Sequence, residues 1–284
     1  GLTAYTWRDT FRRTHDHGRE GTRTMAISVG SRVRGGAAIV RALEANGVDT
    51  VFGIPGVHNL DIYDVLFEHP TMTNILARHE QGAGFMADGY YRATGKPGVA
   101  LIVTGPGVTN VATAAGEAFA DSSNIFIIAT NLERKYIDRL EGNLHEMTDQ
   151  MAIMRPFVKW AKRVMSAEEI PAAMEEAFTA LATGRPRPVY LEVPIDVMAE
   201  EFELGEIEAA PGAPVADISA QIDAAADLIS KASKVMIFAG GGASSQEASE
   251  RVVRLAEALG APVVTSLMGK GAIPEDHQYA VGAF

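Results

Sequence analysis

Cysteine is absent from all 284 residues, which removes disulfides, thiolate nucleophiles and cysteine-ligated zinc together and fits a reducing compartment. Long apolar runs are missing as well. The longest, "NIFIIA" and "VALIV", are strand-sized and far short of the roughly 20 residues needed to cross a bilayer. Positive charge is in the minority: 25 Lys and Arg against 36 Asp and Glu give a net charge of −11, which argues against nucleic acid or an anionic membrane as partner. The bases and aromatics of "FVKWAKR", residues 157–163, read as ordinary strand surface. The first 24 residues have no apolar core, so no secretory signal fits, and Asp9, Asp16 and Glu20 make a poor transit peptide. Residues 1–29 therefore read as a disordered leader, with Met25 as the candidate natural start, and a cytoplasmic location is expected.

What the chain does have is a regular alternation of helix-like and strand-like segments, in a composition of 47% hydrophobic and 21% charged residues typical of folded domains. "RGGAAIVRALEANG" has helical spacing and stops at Gly47, which suits a left-handed helix end. "DTVFGI" predicts a strand, "PGVHN" a turn, and Asn59 the cap of the helix "LDIYDVLFEH". Further strands are expected at "TNILA", "GVALIVT", "NIFIIAT" and "RPVYLEV", with a weaker one around "FVKWA". Helices are expected over 80–94, 109–120 and 168–182, the last opened by a capping box of Ser166 and Glu169. Continuous Val/Ile/Leu strands separated by helices predict an α/β domain over 30–197, a parallel sheet covered by helices on both faces. Residues 198–217, with clustered acids, Pro and Gly, read as a linker. A second α/β unit, 218–284, follows with helices at 218–231 and 246–259 and strands at "KVMIFAG" and "APVVTSL". Its length is about half that of a usual α/β domain, so the chain is expected to be a fragment or a subunit completed by another chain. No solenoid-type repeat is present.

Ligands of open parallel sheets lie beyond the carboxyl ends of the strands. Four turns of the first domain meet that description: "GIPGVHN", "RHEQGA", "TGPGVTN" and "TNLERK". Two of them carry Pro-Gly beside small polar residues, which lets backbone approach a ligand with amide N–H groups outward. Glu80 opens the helix after the second strand. An acid there has an ordinary reason, about 0.3–1 kcal/mol of interaction with the helix dipole. It also has a chemical one, because a carboxyl in an apolar pocket is pushed toward its neutral form and can exchange a proton with a ligand nitrogen. Gly82, Gly84 and Gly89 favour the chemical reading: each costs about 0.8–1 kcal/mol relative to Ala inside a helix, which implies close contact with another backbone or with a cofactor.

"VFGIPG", "RHEQGAGFMADGYYRATGKPGVALIVTGPGVTN" and "FADSSNIFIIAT" resemble the pyrimidine-binding domain of the thiamine-diphosphate-dependent enzymes of the acetolactate synthase, benzoylformate decarboxylase and pyruvate oxidase group. The resemblance runs from Val33 to Val197 and continues through "KVMIFAGGGA" and "APVVTSLMGKGAIPEDH" into part of that group's Rossmann-like central domain. It implies that Glu80 donates a hydrogen bond to a ring nitrogen of the cofactor's aminopyrimidine and so promotes removal of the thiazolium proton. It also implies a pyrimidine pocket formed by Pro55 and Gly56 in the first turn and by Thr104, Gly107 and Asn110 in the third. For the last group, turn geometry and helix capping by Thr109 or Asn110 are the plain alternative.

Acetolactate synthases of this group have a second glycine after the Pro-Gly and a Phe-Gln pair beyond the fourth strand. Here Val57, Leu144 and His145 stand in those places, and "GIPGVHNLDIYDVL" with "EGNLHEMTDQ" is similar to a decarboxylase subgroup that includes 5-guanidino-2-oxopentanoate decarboxylase. His58 and His145 become candidates for proton relay, since imidazole titrates near neutrality; the plain reading makes them satisfied loop histidines. The resemblance implies thiamine diphosphate as cofactor, a small 2-oxo acid as substrate, and a homodimer or homotetramer with its active site at a subunit interface. No metal ligand is expected in this chain. Mg²⁺ and the diphosphate belong, in the family, to a C-terminal domain with a Gly-Asp-Gly motif that this sequence lacks, and the chain alone is expected to be inactive. "AGGGASS" lies between a strand and a helix, where FAD is one option, although it lacks the full dinucleotide fingerprint. Two rivals to a decarboxylase or carboligase stand: a true acetolactate synthase large subunit, and a non-catalytic nucleotide-binding or regulatory module on the same scaffold.

Overall fold

The computed structural model describes residues 30–69, 71–212 and 216–284; the expected leader, 1–29, lies outside them. The chain forms two compact units, one from the described residues up to 212 and one from 216 onward.

The first unit is built on a six-stranded parallel sheet in the order β3-β2-β4-β5-β7-β6. Its strands are β2 (Thr50–Gly53), β3 (Thr73–Leu76), β4 (Gly98–Ile102), β5 (Ile125–Asn131), β6 (Trp160–Arg163) and β7 (Val189–Pro194). The helices are α1 (Gly35–Ala45), α2 (Leu60–Glu68), α3 (Glu80–Thr94), α4 (Pro106–Asp121), α5 (Gln150–Met154), α6 (Ile170–Ala182) and α7 (Ile195–Ala199). Strand side chains alternate between two cores. Val99, Leu101, Phe126 and Ile128 pack with α1, α2 and α6 on one face, while Ala100, Ile102, Ile125 and Ile127 pack with α3 and α4 on the other. Because both faces are covered, the strands read as unbroken apolar runs. Burying a side chain such as Ile127 completely contributes about 1.5–3 kcal/mol.

Four local expectations are corrected. Residues 198–212 are not a free linker: β8 (Glu201–Glu203) pairs antiparallel with β1 (Arg32–Arg34), and Phe202 and Leu204 are buried in the first core. Asn59 makes no capping bond to α2; its Oδ1 accepts from the Gly56 amide at 2.7 Å and its Nδ2 donates to the Ile54 carbonyl at 3.1 Å, which pins the Pro-Gly turn instead. The box at Ser166 and Glu169 is only half formed: Glu169 accepts from the Met165 amide at 2.9 Å, but the Ser166 side chain caps nothing and a 3₁₀ turn, Ala167–Glu169, precedes α6. The third-turn helix starts at Pro106, so Thr109 and Asn110 lie inside it rather than at its cap.

The second unit contains α8 (Ser219–Ser230), β9 (Ile237–Ala239), α9 (Gln246–Leu259) and β10 (Val263–Thr265), plus a strand missed from sequence, β11 (Ala280–Ala283). They form a parallel sheet, β11-β10-β9, with a small core around Ala239, Ala256, Val263, Ala272 and Ile273.

Candidate active site

The six-stranded sheet has a point where its winding reverses. From β2 the chain goes first to β3 on one side and then to β4 on the other, so the carboxyl ends of β2 and β4 flank a crevice where open α/β sheets bind ligands. Pro55 and Gly56 follow β2, and Gly105 to Gly107 follow β4. Val103 joins the two turns: an added Cβ would lie 2.9 Å from Val103 Cγ1 at Gly56 and 2.8 Å from Val103 Cγ2 at Gly107. Any side chain at either glycine would push the turns apart.

Glu80 is the first residue of α3, where its half-exposed carboxylate meets the positive end of the helix. His79 caps that helix, its ring nitrogen accepting from the Gln81 amide at 3.2 Å. Asn110, on α4, donates through Nδ2 to Glu80 Oε2 at 2.8 Å. The other oxygen, Oε1, has no hydrogen-bond partner among the described residues. Helices α3 and α4 come this close because Gly84 presents no side chain: a Cβ there would sit 2.6 Å from Ala114 Cβ and 3.0 Å from Val111 Cγ2. Gly107 lies beside the acid, its would-be Cβ 3.6 Å from Glu80 Cγ. The three glycines singled out in α3 therefore divide. Gly84 answers to the neighbouring helix, whereas Gly82 and Gly89 face open space.

Thr104 sits behind the turn. It is 1% exposed and its hydroxyl donates to Gln150 Oε1 at 2.8 Å. Asn110 is likewise bonded, to Glu80. These two hydrogen bonds were invisible in the sequence, as was Gln150 itself.

His58 and His145 do meet. Their rings lie 5.5 Å apart between centroids, brought together from the turn after β2 and the long connection after β5. His58 is buried, and burial, then the nearby His145, push its imidazole below the usual histidine range. His145 has a left-handed backbone, φ 64°, and a buried Nδ1 without a hydrogen-bond partner among the described residues. Its carbonyl packs against Gly105, where an added Cβ would come within 2.2 Å of it. Glu146 shapes this loop: its carboxylate accepts from the amides of Glu141, Gly142 and Asn143 at 3.2, 2.6 and 3.0 Å. Desolvation works to raise its pKa, and those amides outweigh it, leaving the group below its usual range.

In the second unit, one glycine of the turn, Gly241, has a local explanation, whereas Gly242 has nothing within 4 Å. A Cβ at Gly241 would come within 3.2 Å of Met268, and Ser245 caps α9 by accepting from the Ala248 amide at 3.3 Å. Among the described residues, no three His, Asp or Glu come together to hold a metal ion, and no helix is long and apolar enough to cross a membrane.

Comparison with known proteins gives a consistent answer. Residues 33–153 match the family described as thiamine pyrophosphate enzyme, N-terminal TPP binding domain, and residues 222–284 match its central domain. The chain is 42% identical over 265 residues to a protein of Pseudomonas aeruginosa named probable 2-ketoarginine decarboxylase AruI, covering 92% of this chain and 47% of that one. It is 38% identical over 260 residues to a probable acetolactate synthase large subunit of Methanocaldococcus jannaschii, covering 88% and 43%. The acetolactate synthase of Mycobacterium bovis is also 38% identical, over 255 residues, with 88% and 41% covered. The chain thus spans a little under half the length of these relatives. With the reversal-point crevice, the Pro-Gly and Gly-Pro-Gly turns and Glu80 in the matched region, the chain belongs to the thiamine pyrophosphate enzyme family.

Proposed function

We propose that this chain is the N-terminal part of a thiamine-diphosphate-dependent enzyme that decarboxylates a 2-oxo acid, and that Glu80 is the acid that meets the cofactor. The observation that carries this reading is the state of the Glu80 carboxylate: Oε2 is held by Asn110 at 2.8 Å while Oε1 is left for a ligand. Glu80, Pro55, Gly56 and Gly107 would hold the aminopyrimidine. The bound cofactor supplies the carbon nucleophile and the acceptor for the electron pair released with CO₂. Glu80 exchanges a proton with the pyrimidine nitrogen, and Asn110 fixes the rotamer from which it does so. His58 and His145 move protons at the substrate end of the crevice. Burial, then the neighbouring His145, disfavours charge on His58.

We place Mg²⁺ and the diphosphate on a part of the protein outside this chain, which spans 47% and 43% of the length of its first two relatives. This reading needs no flavin. Subunit contact is proposed at the outer face of α3 and β3, where Phe85 and Met86 are each 39% exposed and Ile75 and Leu76 38% and 52%. Covering such apolar surface with a second copy favours association. A cytoplasmic location remains part of the proposal.

For the substrate, a 2-oxo acid with a guanidino tail comes first, because the Pseudomonas relative, 42% identical over 265 residues, bears the name 2-ketoarginine decarboxylase. Acetolactate synthesis is the second reading, favoured by the names of the other two relatives. Product analysis decides between them. The full-length protein is incubated with thiamine diphosphate, Mg²⁺ and a panel including 5-guanidino-2-oxopentanoate and pyruvate. CO₂ with an aldehyde from the former supports the first reading, acetolactate from the latter supports the second, and turnover of no 2-oxo acid overturns both.

A further inference from the structure

Behind the Gly105–Gly107 turn lies a buried hydrogen-bond network to which neither Glu80 nor the two histidines belong. At its centre is Gln150, 2% exposed at the start of α5. Its Oε1 accepts two hydrogen bonds, from Thr104 Oγ1 at 2.8 Å and from the Gly105 amide at 3.0 Å. Its Nε2 donates to the Thr130 carbonyl at 2.7 Å and, more weakly, to the Tyr190 hydroxyl at 3.4 Å. The Thr104 amide donates to Thr130 Oγ1 at 3.0 Å. One side-chain amide thus ties the end of β4 to the end of β5 and satisfies the first amide of the turn. Farther back, Tyr190 donates to Oε2 of the fully buried Glu192 at 3.0 Å, and Asn131 and Arg163 both bond to its Oε1.

The turn that Gln150 grips is an unusual one. Gly105 has φ 65° and ψ −113°, a conformation open to glycine and kept only where the surroundings over-determine it. Its two glycines face two different candidates: Gly105 lies against the His145 carbonyl, and Gly107 against Glu80 Cγ. A displacement of this short segment would move the acid relative to the histidine loop.

We propose that Gln150 is a positioning residue, fixing the Gly105–Pro106–Gly107 turn so that Glu80 and His145 keep a set separation across the crevice. It touches neither of them and acts through the turn. The proposal rests on the reading of Glu80 as the acid that exchanges a proton with the cofactor. Misplacing reacting groups by about 1 Å costs on the order of a hundredfold in rate, whereas loss of a merely supporting hydrogen bond leaves the turnover of the folded fraction intact.

The test uses the full-length protein with thiamine diphosphate and Mg²⁺. Gln150→Met keeps the volume and removes every hydrogen bond of the amide; Thr104→Val removes one of the two bonds to Oε1; Tyr190→Phe removes the back of the network and leaves the grip on the turn. Gln150→Met is expected to lower kcat by about ten- to a hundredfold with KM changed less than about threefold, and Thr104→Val to do the same to a smaller degree. Tyr190→Phe is expected to lower Tm while keeping kcat. In hydrogen exchange, the Gly105 amide should exchange at least about tenfold faster in Gln150→Met, while the Thr104 amide, bonded to Thr130, stays protected. Unchanged kcat in Gln150→Met overturns the proposal, as does an equal loss of kcat in Tyr190→Phe. Should Gln150→Met fail to fold, unchanged kcat in Thr104→Val does so. A wild-type enzyme without 2-oxo acid turnover instead removes the reading of Glu80 and the catalytic role of Gln150 with it, while unchanged exchange at Gly105 refutes the grip on the turn in either case.

Discussion

Glu80→Gln separates chemistry from structure at the residue on which the proposed function depends. A glutamine can keep the hydrogen bond from Asn110, 2.8 Å long in the native chain, by accepting through its carbonyl oxygen, with its amide nitrogen then standing where the free oxygen stood. What it cannot do is take up and release a proton. Structurally, the loss is the difference between a charge-assisted and a neutral hydrogen bond, about 1 kcal/mol, plus about 0.3–1 kcal/mol from the helix N-terminus. At about 2–4 °C per kcal/mol for a domain of this size, Tm should drop by only a few degrees. Catalytically, proton transfer by a positioned side chain contributes about 10²–10⁴-fold, equivalent to about 3–5 kcal/mol in the barrier. The full-length variant should therefore stay folded while CO₂ release, measured at saturating cofactor and substrate, falls by at least about a hundredfold. Turnover within about threefold of wild type would refute the assignment, since so small a change is under 1 kcal/mol.

Three further outcomes follow from the geometry. Gly84→Ala should destabilise the protein by about 1–3 kcal/mol through overpacking, because its Cβ would lie 2.6 Å from Ala114 Cβ; Gly89→Ala, with nothing within 4 Å, should add about 0.8–1 kcal/mol of helix propensity, and a smaller oligomer by light scattering would place the subunit contact on that face of α3. The His58 imidazole, held below its ordinary range by burial and by His145, takes up its proton near pH 6.5 when unfolded and only at lower pH when folded. Stability should then fall as pH drops below about 6.5, and the fall in Tm between about pH 7 and 5 should be smaller in His58→Asn. Asp49, lowered to about 2 by hydrogen bonds from Lys96, Tyr90 and Thr50, contributes stability present above its unfolded value of about 3.9 and lost as pH falls through about 2. Lys96→Met should move its carboxyl upward in an NMR titration, with little effect on stability because the pair is half exposed and screened.

How much of this was legible in the sequence depended on the reach of the interaction involved. The strands of the large sheet could be read because each is an apolar run bounded by turn residues, and the start of α3 because an acid follows a strand and precedes a helical pattern. β8 could not: three residues with a single buried apolar side chain, Phe202, become a strand only through β1, whose Val33 pairs with it from the far end of the unit. Asn59 reads as a helix cap because its short amide suits that role, yet the same reach lets it turn backward to Gly56, and only the packed turn decides. Gln150 left no signal. Its partners lie 46, 45, 20 and 40 residues away, and a lone glutamine in "TDQ" has neither period nor motif. Thr104 and Asn110 come by resemblance as pocket residues, and what no motif shows is that the first is bonded to Gln150 and the second to Glu80.

The half-exposed state of Glu80 bears on how such a site is assembled. An acid that must exchange protons with a heteroaromatic ring needs one oxygen fixed and the other dry, and this chain supplies the first condition: Asn110 holds Oε2, while Glu80 as a whole is only half-buried. The same helix that begins with Glu80 has a buried side of Ala83, Gly84 and Ala87 and an open side of Gly82, Phe85, Met86 and Gly89. Beside it β3 is exposed along all four residues, an unusual condition for a strand in a parallel sheet. A helix that spends two glycines facing open space, next to an aromatic and a methionine facing the same way, is shaped for close approach by another surface. The covering that would dry Glu80 and the covering that would bury Phe85 and Met86 are then one event, so in the proposed enzyme proton exchange at Oε1 should require the same assembly that hides the outer side of α3.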